Sequence, residues 1–253
     1  QMYKEQNIFG GFADTANFFP MEKVAACYSG QAYSYPVSPH KEGRYIAGLD
    51  WGRKNDPTVL LICDISKEPA PLVYVDAMGG SELASIDWTG EHGIYERVAQ
   101  GLSRYNANVW LDTTGMAGDV IYQTLTSSYG IPVERCHAVD VAGGGGKKKL
   151  NLVQSGRESV QGKWIEWSLT PETIPLKDQL VLYDLPDDHL VQDYVMAYCM
   201  MAEGVRQKTF REVDEDSKLF YSVGLRTLTQ DVIADSGSVV SVEEEGYGSP
   251  DWY

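Results

Sequence analysis

The chain has 253 residues, 43% of them hydrophobic, and a formal net charge of −15. That length suits one large domain with appendages, no run of eighteen apolar residues predicts a membrane span, and no signal peptide is visible. The acidic balance argues against a general nucleic-acid-binding surface, which is normally basic, yet it leaves room for a nuclease, because bound cations reverse the field at a carboxylate site.

The opening Gln1-Met2-Tyr3, with no initiator methionine, suggests a piece of something longer. Residues 1–43 read as an N-terminal linker in which Met21 to Cys27 forms one short helix and Pro36 and Pro39 mark a connector. Runs at 45–50, 58–64 and 71–78 are rich in β-branched and aromatic residues and are separated by short loops, Gly52 to Pro57 and Lys67 to Pro71. They predict an antiparallel meander. Gly93 to Tyr105 has helical spacing, with Ile94, Val98 and Leu102 on one face. A strand follows at 108–112, a helix at 119–129 and a strand at 133–141. Lys147 to Gly162 reads as a helix that Gly156 interrupts. Trp164 to Trp167 is a short strand, Glu172 to Tyr183 a helix, and Leu190 to Val205 the most hydrophobic helix, with Asp187 or Asp188 as its cap. Residues 207–253 form an acidic, turn-rich extension with one apolar stretch, Leu219 to Val223, able to dock. The order predicts an α/β domain over residues 44–206: a mixed sheet, three-strand meander plus parallel strands, flanked by helices.

Three acidic residues stand at element edges. Asp50 ends the run Tyr45 to Leu49, Asp112 ends Val109 to Leu111, and Asp193 opens Tyr194 to Met201. A crossover through the 93–105 helix sets strand four parallel to strand one, so that the first two acids meet. Gathered carboxylates repel unless a cation holds them, and oxygen ligands of this kind suit Mg²⁺ or Mn²⁺; two such ions support phosphodiester hydrolysis. Asp50 and Asp112 also fit strand-end turns, and Asp193 fits a cap. Asp56, before Pro57, reads mainly as a loop residue. His189 lies four residues before Asp193, a spacing that shares a helical face, and serves either as a ligand or shuttle or as a helix-entry residue without chemistry. Arg53 and Lys54 beside Asp50, and Lys147, Lys148 and Lys149 after a glycine run, are candidates for DNA phosphate contacts or for solvated positions. The cysteines Cys27, Cys63, Cys136 and Cys199 lack metal-site spacing and read as buried thiols.

The motifs Gly48-Leu49-Asp50-Trp51-Gly52 with Asp56-Pro57-Thr58, Val109-Trp110-Leu111-Asp112-Thr113-Thr114-Gly115 with Gly118-Asp119, and Gln192-Asp193-Tyr194-Val195-Met196-Ala197 stand in that order over roughly residues 44–205. Together they resemble the C-terminal nuclease domain of the large terminase subunit of tailed phages, in the ribonuclease H-like superfamily. The resemblance implies a metal-dependent endonuclease that cuts double-stranded DNA concatemers during genome packaging, with Asp50, Asp112 and Asp193 as catalytic metal ligands for two Mg²⁺ or Mn²⁺ ions. It implies a packaging ATPase domain in the same full-length chain, a small terminase subunit and a portal protein as partners, and the cytoplasm of a phage-infected bacterium as the location. Where the family has two adjacent acids, Gln192 precedes Asp193. That leaves Asp187 or Asp188 as rival third ligands, and Asp188 and His189 as further site candidates. The ATPase phosphate loop is imitated by Ala142 to Lys149, but Lys148 stands where a Ser or Thr should follow the lysine.

Two other classes fit part of the pattern. Actin-like ATPases and sugar kinases also place acids after strands one and four, followed by glycines that admit phosphate, though they need two such domains. A non-catalytic docking module of a packaging motor would carry the same carboxylates as structural groups and would respond little to Mn²⁺.

Overall fold

A strand apolar on both faces belongs inside a sheet, and β1 (Tyr45–Asp50) lies there, flanked on both sides. The computed structural model describes residues 17–52, 56–79, 88–141, 146–185 and 190–208, with the side chains at 115–117 excepted. Five further strands are β2 (Pro57–Asp64), β3 (Ala70–Gly79), β4 (Asn108–Asp112), β5 (Cys136–Val139) and β6 (Ile165–Glu166), in the order β5-β4-β1-β2-β3-β6. The first three form the expected antiparallel meander. β4 joins β1 in parallel, β5 joins β4 and β6 joins β3 likewise. This is the mixed α/β sheet of the ribonuclease H-like fold.

The helices are α1 (Met21–Ala26), α2 (Ile94–Tyr105), α3 (Gly115–Gln123), α4 (Lys147–Gly162), α5 (Ile174–Leu182) and α6 (193–208). Successive strand residues point to opposite faces, so each face of the sheet builds its own core. Tyr45, Ala47, Leu49, Leu60 and Ile62 join Val98 and Leu102 of α2 and Ile121 of α3. Ile46, Val59, Leu61 and Cys63 join Val153 of α4, Leu180 of α5 and the apolar run of α6.

The contact of α6 with β1 is made through glycine. A Cβ on Gly48 would run into the backbone of Ala197 and Met201, so the helix rests on bare main chain. Gly156 plays the same part between α4 and Cys199, and α4 runs through it unbroken rather than being interrupted there.

Other boundaries shift for local reasons. α3 begins at Gly115, four residues earlier than its periodicity predicts, and a Cβ on Gly118 would collide with Thr113. It then continues as a π-helical turn, Thr124–Ser128. β5 is shorter than expected, because it pairs only with Val109 to Asp112; Val133–Arg135 is a 3₁₀ turn instead. α6 starts at residue 193 rather than 190.

The predicted short helix near residue 21 is present as α1, and it belongs to the core: Phe19, Val24 and Cys27 are fully buried, and α1 packs against α4 and α5. Burial of a large apolar side chain such as Phe19 contributes about 1.5–3 kcal/mol. All four cysteines are buried free thiols. Among the described residues no helix is long and apolar enough to cross a membrane. Arg53, Lys54, Asp187, Asp188, His189, Gly143 to Gly145 and Leu219 to Val223 lie outside the described residues.

Candidate active site

Parallel pairing brings Asp50 and Asp112 together. Leu49 registers with Leu111, and the next residue of each strand is the aspartate. Asp193 reaches the same end because Ala197, one turn further along α6, rests on Gly48, two residues before Asp50. The first turn of α6 is held by Gln179 of α5, whose Oε1 accepts the Tyr194 N–H at 2.9 Å.

The surrounding loops are tied down. Asp112 Oδ1 accepts the Thr114 N–H at 2.8 Å, the Thr113 N–H donates to Val139 O at 2.9 Å, and Thr114 Oγ1 accepts the Val141 N–H at 3.0 Å. Beyond β1 two described stretches meet: the Gly52 N–H donates to Thr58 Oγ1 at 3.1 Å, and the backbone of Asp56 and Pro57 comes too close to Gly52 for any side chain there. Asp56 is thereby carried to the site.

The result is one cleft of about 530 Å³ lined by Asp50, Asp56, Asp112, Asp193, Gln192 and Lys149, with Val141, Leu190 and Met196 as apolar walls. Its electrostatics are those of crowded anions. Burial, then the charges of Asp193 and Asp112, push the Asp50 carboxyl well above the usual range, and Lys149 pulls against them. Burial and the charge of Asp56 push Asp193 up to about 6. Both shifts disfavour ionised carboxylates in the protein alone, and a cation reverses that preference.

No protein-family model matches the chain, and no curated protein sequence matches it. Solved structures do. The large terminase nuclease of thermophilic phage G20c with bound magnesium superposes with a TM-score of 0.57 at 16% identity, over 75% of this chain and 97% of that one. The same nuclease with bound cobalt gives 0.56 at 15% identity over 75% and 97%, and with bound zinc 0.55 at 15% over 72% and 96%. This chain has the large-terminase nuclease fold.

Within that terminase-nuclease fold the donor set is all oxygen, which suits a hard divalent ion. Among the described residues no three His, Cys, Asp or Glu side chains stand close enough together to hold an ion as they are placed. The like charges crowded around Asp50 and Asp193 are what a cation in the cleft would relieve.

The lysine cluster divides. Lys149 lines the cleft and acts on Asp50. Lys148 turns away to Asp140, with Nζ to Oδ2 at 2.5 Å, both side chains half-exposed. Lys147 is exposed at the start of α4.

Two cleft residues carried little signal in the sequence. Asp56 looks like an ordinary turn residue, and only the close approach of its backbone to Gly52 reveals its place. Gln192 Oε1 is buried and has no hydrogen-bond partner among the described residues, beside Asp193. An amide directly before a helix-opening acid was the available clue.

Proposed function

We propose that this chain is a metal-dependent endonuclease that cuts double-stranded DNA during viral genome packaging. The observation that carries the reading is the meeting of Asp50, Asp112 and Asp193, from three separate elements, in one cleft with Asp56 and Lys149. Asp50, Asp112 and Asp193 would hold two Mg²⁺ or Mn²⁺ ions, and Asp50 feels the charges of both the others. When bound, such ions supply Lewis acidity at a phosphoryl oxygen and lower the pKa of an attacking water.

The chain's own residues do the rest. Lys149 offers a positive charge at the cleft for a phosphate and keeps Asp50 closer to ionised. Asp56 adds a further negative charge beside Asp193, which a bound cation would offset. Val141, Leu190 and Met196 limit water on one side. The ties from Thr114 and Gln179 hold β4 and α6 at fixed positions, so the carboxylates keep their spacing.

The charge of −15 implies weak, salt-sensitive DNA binding by this chain alone. We therefore assign DNA delivery to a packaging ATPase domain of the same full-length chain, with a small terminase subunit and a portal as partners, in the cytoplasm of an infected bacterium. Incubation with supercoiled plasmid tests the reading: nicked and linear forms are expected with Mn²⁺ or Mg²⁺ and none in chelator. Intact plasmid across a wide range of protein and metal concentrations overturns it.

A further inference from the structure

A second cavity opens beside the acidic cleft. It measures about 350 Å³ and is lined by Trp51, Trp88, Tyr95, Thr114, Ile121 and Asp112. Trp51 and Asp112 line both spaces, so the two are contiguous. Its aromatic rings gather closely: Trp51 and Tyr95 lie 4.9 Å apart by centroid, Trp51 and Trp88 5.7 Å, and Trp88 and Tyr95 6.1 Å. Packing alone does not account for this group. Trp88 remains 37% exposed, and the indole Nε1 of Trp51 is buried with no hydrogen-bond partner among the described residues.

We propose that this cavity receives one unpaired nucleobase of the DNA strand being cut, next to the phosphate held by the acidic cleft. The substrate class rests on the nuclease reading above; the pocket's chemistry does not. The size sits at the small end of ligand pockets, which span roughly 300–1,000 Å³, and suits a single heterocycle rather than a base pair. Aromatic faces stack on any base, so the contact tolerates sequence. Apart from Asp112 the lining is uncharged, so nothing else in the cavity competes with the cleft for phosphate. A base enters only after leaving its stack, which is easiest where the duplex is frayed, bulged or mismatched. Such sites become preferred places of cleavage.

Two measurements on the 253-residue chain test this. In the first, saturation-transfer NMR with deoxyadenosine, in chelator, should show transfer to the base protons. Trp88→Ala should weaken that binding about tenfold, and Trp88→Phe should restore most of it, because a ring remains to stack. In the second, Mn²⁺-dependent cleavage is compared on duplexes with a one-nucleotide bulge carrying either adenine or an abasic residue. The adenine bulge should be cut about tenfold faster beside the bulge, and Trp88→Ala should equalise the two. No transfer to base protons, or transfer indifferent to Trp88, overturns the pocket. Equal cutting of the two bulges by the parent overturns its assignment to the cleaved strand. If neither duplex is cut while deoxyadenosine still binds through Trp88, the nuclease reading falls and the base pocket stands.

Discussion

Two aspartates at opposite ends of the same antiparallel strand pair have opposite characters. Asp50 ends β1 and registers with Val59, while Asp64 ends β2 and registers with Tyr45. Asp64 is 1% exposed and fully engaged: His40 Nε2 lies 2.6 Å from Oδ2, and Oδ1 accepts the Ser66 N–H at 3.0 Å and its hydroxyl at 2.6 Å. Burial alone would raise its pKa, but the hydrogen bonds from Ser66 and His40 outweigh it and leave the carboxyl below its usual value. Asp50 meets like charges instead and is pushed up. Both residues read as a carboxylate ending an apolar strand. The partners, not the strand position, separate a carboxyl held below its usual pKa from one pushed above it.

The largest effect that distinguishes the two ends is catalytic. Asp50→Asn, Asp112→Asn and Asp193→Asn should each lower plasmid cleavage in Mn²⁺ on the order of 10³-fold or more, while circular dichroism stays that of the parent. Asp64→Asn should leave the specific cleavage rate of the folded protein within about twofold. A strong loss of cleavage in folded Asp64→Asn would dissolve the contrast.

Stability should invert that order. Asp64→Ala removes the acceptor for His40 and Ser66 and should cost about 2 kcal/mol, which lowers Tm by roughly 4–8 °C. Thermal melts in chelator read this directly, and an unchanged Tm would show that the Asp64 network contributes nothing.

Smaller pH effects should run in opposite directions. Asp193 titrates near 6 in the folded chain, above the usual 3.8, so the folded state binds more protons between those values. Its contribution to stability is therefore present at low pH and lost as pH rises through about 6. In chelator, Asp193→Asn should be more stable than the parent above pH 6, by on the order of 1 kcal/mol, and no more stable below pH 4. Asp64, held below its usual value, contributes stability above the usual carboxylate range that is lost as pH falls through its folded value. The deficit of Asp64→Asn should thus be full at neutral pH and shrink in acid. Melts across pH 3–8 (a range of about five units) would show parallel rather than opposed trends if the two carboxylates were alike.

The smallest expected effect divides the lysines. Lys149→Ala should slow cleavage about threefold at low salt, because it removes a charge that acts on Asp50 and faces phosphate; Lys148→Ala, with its exposed partner Asp140, should leave the rate nearly unchanged. Initial rates at low and high salt check both, and the Lys149 effect should shrink as salt rises. Equal losses from the two substitutions would return the whole cluster to nonspecific attraction.

The sequence by itself determined the meander: apolar runs of strand length, punctuated by Gly, Pro and Asp, mark it because side-chain periodicity is local, and a right-handed crossover through the 93–105 helix allows β4 to lie parallel to β1. It also singled out Asp50, Asp112 and Asp193 as strand-end and helix-opening acids, and their order carried the resemblance to terminase nucleases. Tertiary structure alone decided which neighbours each acid meets. It brought Asp56 into the cleft beside Gly52, separated Lys149 from Lys148 on one helical turn, and seated α1 in the core through Phe19 and Val24. It also gathered Trp51, Trp88 and Tyr95 around a cavity that Asp112 lines. None of these is written in a spacing or a period, because each depends on the approach of segments far apart in the chain, and a pKa or an empty acceptor position exists only once those segments have met.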